Sequence, residues 1–256
     1  MKIFITGASS GIGAALAEHY ANLGATLGLV ARRGEMLEAL KTKLNTPVAL
    51  YVVDVSDAVA LQQAAQDFMQ RFGAPDIVIA NAGVSAGTLT ECKEDLPAFR
   101  KIMEINVLGM VNTFQPFIAA MATQAINLKD KPKLVGISSV AGIRGLPGSG
   151  AYSASKAAAI NYLESLRVEM RSLNIAVITI APGYIKTPMT DINAFYMPFL
   201  MEADVAARKM AAAIHNNRRY VVIPWQMGIL GKLIQFMPRV LWDWIMSKAP
   251  RKSRWI

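Results

Sequence analysis

Short runs of consecutive apolar residues rich in Val, Ile and Leu alternate along this chain with longer stretches whose apolar positions recur every three or four residues. An unbroken apolar run suits a strand buried on both faces, and a 3.6-residue period suits an amphipathic helix. Their alternation predicts repeated βαβ units around a parallel sheet. Strands are predicted near 2–6, 26–31, 48–53, 76–80, 133–138, 175–180 and 219–223, and helices near 12–23, 34–44, 56–72, 95–122, 150–173 and 203–216. Right-handed crossovers then wrap helices over both faces and bring ligands to the carboxyl ends of the strands. The expected fold is α/β: a doubly wound parallel sheet of seven strands over 1–224, with a C-terminal amphipathic helical extension, 225–256, belonging to the same domain.

With 256 residues and 53% hydrophobic content, the chain can bury one sizeable core. Cys92 is the sole cysteine, which excludes an intrachain disulfide and suggests a buried, inert thiol in a reducing compartment. The glycine-rich turn follows Met1 too closely for a signal peptide, so a cytoplasmic location is expected. Charge is distributed unevenly. Residues 1–204 hold 17 Lys/Arg against 17 Asp/Glu, whereas residues 205–256 hold ten against Asp243 alone, so the whole net charge of +9 lies in the tail. Such a field attracts anionic surfaces.

After the first strand comes Thr6-Gly7-Ala8-Ser9-Ser10-Gly11-Ile12-Gly13, followed by helix-forming Ala14 to Ala17. Glycines at a strand-to-helix turn allow a tight bend and close approach of a pyrophosphate, to which the helix offers free amides. Dinucleotide binding is therefore expected. The second strand ends in Leu29-Val30-Ala31, without the carboxylate that would accept from ribose hydroxyls, and Arg32 and Arg33 follow. Two guanidiniums suit a 2′-phosphate, which favours NADP(H); the alternative is an exposed basic helix start. Asp54 can accept from an adenine amino group or cap the helix that begins near Ser56.

Tyr152 and Lys156 stand four residues apart at the start of a predicted helix, on one face. Free tyrosine has a pKa near 10, too high for efficient proton exchange at neutrality, and an adjacent cation is expected to lower it. Upstream, Ser138-Ser139 end a strand and can donate to a substrate oxygen. Asn106, inside the apolar stretch Ile105 to Gly109, must find hydrogen-bond partners, as a site residue or as a satisfied core amide.

Taken together, Thr6 to Gly13, Asn81-Ala82-Gly83, Asn106, Ser139, Tyr152 with Lys156, and Pro182-Gly183 with Thr187 resemble the short-chain dehydrogenase/reductase family over about residues 2–223. The resemblance implies a Rossmann fold and an oxidoreductase interconverting a ketone and a secondary alcohol. It implies Tyr152 as acid/base, Lys156 as its partner and a nicotinamide-ribose ligand, Ser139 orienting the carbonyl, and Asn106 holding a relay water. Cofactor contacts are implied at Gly7, Ser9, Ser10, Gly11, Ile12, Gly13, Arg32, Arg33, Asp54, Val55, Asn81, Ala82, Gly83, Pro182 and Gly183. Ile185 would contribute backbone and Thr187 would bond the carboxamide. A homodimer through the helices at 95–122 and 150–173 is expected. The hydrophobic extension after Pro224 departs from the short glycine-containing tail of tetrameric relatives.

In that extension, Trp225, Trp242 and Trp244 stand among Ile, Leu and Met, Pro238 divides two short helices, and Lys232, Gln235, Arg239 and Asp243 form a polar stripe. Lys248, Arg251, Lys252, Arg254 and Trp255 follow, a combination suited to anionic headgroups. Packing on the body or on a partner subunit is the alternative. Segment 188–204, with its methionines and aromatics, is expected to form a lid over an apolar pocket, or to pack against the tail. A hydrophobic or lipid-like ketone is the first expectation, and a ketone on an acidic acyl carrier the second. Two other readings are a catalytically silent NADP-binding regulator and a membrane-surface scaffold; neither needs the full Ser139, Tyr152, Lys156 and Asn106 set. No nucleic-acid partner and no metal are expected.

Overall fold

Seven short apolar runs form one fully parallel sheet, in the order β3-β2-β1-β4-β5-β6-β7, in a computed structural model that describes all residues except 127–129, 194, 250, 251, 253, 255 and 256. The strands are β1 Lys2–Thr6, β2 Thr26–Ala31, β3 Val48–Val52, β4 Ile77–Ala80, β5 Lys133–Ile137, β6 Ala176–Pro182 and β7 Tyr220–Ile223. Strand order reverses between β1 and β4, opening a crevice at their carboxyl ends.

Helices cover both faces. Helices α1 (Gly11–Ala21), α2 (Gly34–Lys41) and α9 (Ala203–His215) enclose a core containing Leu16, Tyr20, Leu37, Met210 and Ile214, packed on Ile3, Ile5 and Leu29. On the other face, α3 (Ala58–Phe72), α4 (Leu96–Met103), α5 (Gly109–Phe114), α6 (Ile118–Ala125) and α7 (Gly150–Glu169) bury Phe68, Phe114, Phe117 and Leu163 against Phe4 and Val78. This two-sided burial explains the unbroken apolar runs: neither face of the central strands meets water.

The single helix predicted at 95–122 is interrupted. A π-helical turn, Glu104–Leu108, joins α4 to α5, and a 3-10 turn at Gln115–Phe117 containing Pro116 leads into α6. Proline cannot donate to the helical ladder, which accounts for the second break. The first follows from Asn106, which is 1% exposed and turns its amide to partners outside the helix. A short helix α8 (Pro188–Asp191) begins the expected lid. The tail forms α10 (Trp225–Phe236) and α11 (Arg239–Ser247), divided at Pro238 as the sequence requires.

Candidate active site

At the β1–α1 turn, Gly7 and Gly11 have φ of +68° and +56°, a region that side chains disfavour. A Cβ on Gly13 would overlap the Gly7 carbonyl. Asn81 Nδ2 donates to the carbonyls of Thr6 at 3.0 Å and Gly7 at 3.1 Å, fixing the turn from the end of β4. The buried Thr6 hydroxyl accepts from the amides of Asn81 and Ala82 at 3.2 and 3.3 Å, a contribution the sequence did not announce. Ser10 at the N-cap of α1 makes no capping bond, and its Oγ accepts from Arg33 at 2.9 Å, while Ser9 Oγ accepts from the same guanidinium at 3.1 Å. Ile12 and Gly13 lie in the first turn of α1.

Arg32 pairs with Asp54 at 3.5 Å, with both side chains partly exposed. Asp54 also accepts from the amide and hydroxyl of Ser56, and these bonds together with Arg32 hold its carboxyl below the usual range despite burial. It does not cap α3. That role belongs to Asp57, which accepts from the Ala60 amide at 3.0 Å. Val55, 4% exposed, closes the same corner, and its carbonyl accepts from Asn112.

Across the crevice, Lys156 is 4% exposed on α7, and its ammonium donates to the Ile137 carbonyl at 3.0 Å and lies 5.8 Å from the Tyr152 ring centre. Burial pulls its pKa down to about 8. Tyr152 departs from expectation: burial raises its pKa, with a hydrogen bond from Ser139 as the opposing influence. Burial of the phenol therefore outweighs that bond, and the expected lowering is not found. Ser139 Oγ donates toward the Pro182 carbonyl at 3.5 Å and accepts from the Ala141 amide. Ser138 Oγ donates to the Lys156 carbonyl, tying β5 to α7.

Asn106 Oδ1 accepts from the Val84 amide at 2.8 Å, and Nδ2 donates to the Val84 carbonyl and to Ser155 Oγ at 3.0 and 2.9 Å. The wholly buried Ser155 in turn donates to the Tyr152 carbonyl, so Asn106 links the loop after β4 to the start of α7. Gly83 keeps this junction open; a Cβ there would stand 3.2 Å from Asn106 Oδ1 and 3.5 Å from Lys156 Nζ. Gly183 follows β6 and donates to the Ile223 carbonyl. The Thr187 methyl would meet a Cβ on Gly11 at 2.9 Å, which brings the third loop onto the glycine turn. Thr190 Oγ1 accepts from the Thr187 amide and donates to the Ile185 carbonyl, committing part of the backbone expected at a cofactor.

Other expectations need correction. Cys92 is half-buried rather than buried. Of the basic run after α11, Arg254 pairs with Asp95 at 3.0 Å and Lys252 Nζ donates to Ser85 Oγ at 2.9 Å, so both point to the body instead of a headgroup layer. Arg251 and Trp255 lie outside the described residues. Arg144, from the loop after β5, donates to the carbonyls of Ile234 and Met237 (2.7 Å for the latter) and stacks over Trp242 at 4.8 Å, clamping α10 and α11. Lid and tail meet: Phe199, Leu200 and Met201 share a cavity of about 580 Å³ with Val222, Pro224 and Trp225. A second cavity, about 550 Å³ around Tyr20, His19 and Lys133, includes residues at the amino ends of the strands, away from Tyr152.

A glycine-cradled helix start on one side of the crevice and a serine, tyrosine and buried lysine on the other form the kind of site that oxidoreductases use with a dinucleotide. Residues 1–194 match the family model described as short chain dehydrogenase, and the chain belongs to that family of oxidoreductases. It is 37% identical over 245 residues to an uncharacterized oxidoreductase of Myxococcus xanthus, covering 93% of each chain. It is 30% identical over 264 residues to 11-beta-hydroxysteroid dehydrogenase A of Sesamum indicum, covering 95% of this chain and 73% of that one. A short-chain dehydrogenase/reductase from Burkholderia phymatum, solved in complex with NAD, superposes with a TM-score of 0.79 at 23% identity, covering 100% of this chain and 98% of that one.

Proposed function

We propose that this protein is an NADP(H)-dependent carbonyl reductase or alcohol dehydrogenase that interconverts a hydrophobic ketone and its secondary alcohol. The observation that carries the reading is the junction of Ser139, Tyr152, Lys156 and Asn106 beside the glycine turn. The residues fit the dinucleotide: Gly7 and Gly11 at positive φ and Gly13 against the Gly7 carbonyl make a turn that only glycine allows, and Ser10 leaves the first amides of α1 without a side-chain cap. When bound, it supplies or accepts hydride.

Arg33 spans the Ser9 and Ser10 hydroxyls and Arg32 lies beside it, with no carboxylate at the end of β2, which favours a 2′-phosphate. Ser139 orients the substrate oxygen, and the Tyr152 hydroxyl gives it a proton in reduction and takes one in oxidation. Lys156 holds a ribose hydroxyl and keeps a positive charge beside Tyr152. Asn106 retains one lone pair on Oδ1 for a relay water. The test is NADPH consumption with ketones of increasing chain length: wild type turns over, and Tyr152→Phe binds NADPH yet loses turnover. Normal turnover in that variant refutes the assignment.

A second reading concerns location. Leu233, Phe236, Val240 and Trp244 are 61–83% exposed on α10 and α11, beside the exposed Lys232, Arg239 and Lys248. We infer that this face rests on an anionic membrane at the cytoplasmic side, where apolar ketones collect. Dimerisation through the α4–α6 and α7 faces is retained as part of the proposal, with exposed Leu108 and Val168 as candidate contacts.

A further inference from the structure

Near the carboxyl terminus, Lys252 and Arg254 form a strap against the loop that follows β4. Arg254 pairs in parallel with Gly87, and its guanidinium makes three bonds to Asp95, at 3.0–3.2 Å. Asp95 is 2% exposed and also accepts from the Leu89 amide, so the strap is anchored on a buried carboxylate. Two residues before this anchor, Lys252 is drawn into the same interface with a different partner: it donates to Ser85 Oγ at 2.9 Å. Among the described residues, no carboxylate lies within ion-pair distance of Lys252. Burial lowers its pKa, as expected for an ammonium withdrawn from water without a counter-charge.

The position of Ser85 gives that ammonium its meaning. Val84, its neighbour, is held at both amide and carbonyl by Asn106. Three residues on, Thr88 bridges to Ser149 and its Oγ1 accepts from the Ala151 amide, next to Tyr152. Segment 84–88 thus joins Asn106, at Val84, to the residue before Tyr152, at Thr88, with Lys252 bound beside its Asn106 end. An extended chain from Ser85 to Thr88 spans at most roughly 10 Å. Arg254 has its anchor in Asp95; Lys252 has a hydroxyl, and that hydroxyl can itself donate to an acid.

We propose that Lys252 and Ser85 form a subsite for the carboxylate of an amphiphilic oxo-acid whose ketone reaches Tyr152. This deepens the function proposed above and rests on it. Lys252 supplies charge-assisted bonds and Ser85 a second donor, while the carbon chain between acid and ketone lies along segment 84–88. An acid is selected over its ester because a neutral ester leaves the ammonium desolvated and unpaired.

The test uses the full chain with NADPH and straight-chain oxo-acids whose ketone stands about six to ten carbons from the carboxylate, sized to that span, each compared with its methyl ester. The expected result is a kcat/KM ratio of acid to ester that favours the acid and falls roughly tenfold or more in Lys252→Met, chiefly through KM of the acid, with Lys252→Arg retaining part of the preference. A strap residue that only holds the loop would depress acid and ester alike, and that result overturns the proposal. Ketone turnover with no preference for the acid overturns it while leaving carbonyl reduction standing. Calorimetric binding of saturated fatty acids against their methyl esters separates the remaining case: acid-selective binding that depends on Lys252, without turnover of any ketone, supports the subsite and refutes the reductase assignment. No selectivity in either assay sinks the subsite.

Discussion

Replacing Lys156 with Met should make the protein more stable while removing its activity. An ammonium at 4% exposure whose pKa falls from 10.5 to about 8 carries a burial penalty of roughly 3 kcal/mol at neutral pH, at about 1.4 kcal/mol per tenfold change in proton affinity. Met fills a similar volume without charge. It forfeits the bond to the Ile137 carbonyl, a loss of about 1 kcal/mol or somewhat more. The net gain of about 1–2 kcal/mol corresponds to a rise in Tm of a few degrees for a chain of this length. The pH dependence supplies a stricter check. Between about pH 8 and 10.5 the unfolded lysine holds a proton that the folded one has released, so wild-type stability from this group rises with pH across that window. Thermal melts of both proteins from pH 7 to 10.5 should therefore show the advantage of Lys156→Met shrinking as pH rises, because other titrations cancel in the difference. A variant that melts below wild type at pH 7, or a gap that does not change with pH, would refute the reasoning. NADPH binding should weaken in the same variant, since Lys156 is assigned a ribose contact.

The other tests are simpler. Removing either guanidinium should weaken NADPH binding by roughly 10–100-fold and NADH binding much less; Arg33→Ala should have the larger effect, because Arg33 reaches Ser9 and Ser10, and equal affinity of the wild type for both cofactors would rule out the 2′-phosphate site. For the tail, serine at Leu233, Phe236, Val240 and Trp244 should abolish cosedimentation with anionic liposomes while leaving the Arg144 clamp in place, and salt should release only part of wild-type binding. Undiminished liposome binding by the serine variant, or none by wild type, would remove the membrane reading.

The strands were legible because each is buried on both faces and so advertises itself as an apolar run; all seven fall within two residues of expectation at each end. The site was legible wherever its residues sit at strand ends beside their own motifs, as with Gly7, Asn81 and Ser139. Three things were not. The interruption at Asn106 was hidden because a π turn adds a residue without disturbing composition, and only the demand of a buried amide for partners hinted at it. The direction of the Tyr152 shift is set by burial of the phenol itself, which spacing cannot express. The pairing of Arg254 with Asp95 joins residues with no local signal between them, so Arg254, in a run that reads as a headgroup ligand, turns inward.

That last pairing bears on how the protein is made. Asp95 emerges early, and the guanidinium that neutralises it is separated from it by 159 residues. At about 5–20 residues per second of synthesis, the carboxylate waits on the order of ten seconds or longer for its partner. Until then the loop after β4 is held only by its bonds to Asn106 and to the start of α7. The sheet, the glycine turn and the Tyr152 helix can all be in place beforehand, so the fastening of this loop by Arg254 is among the last contacts the chain can make.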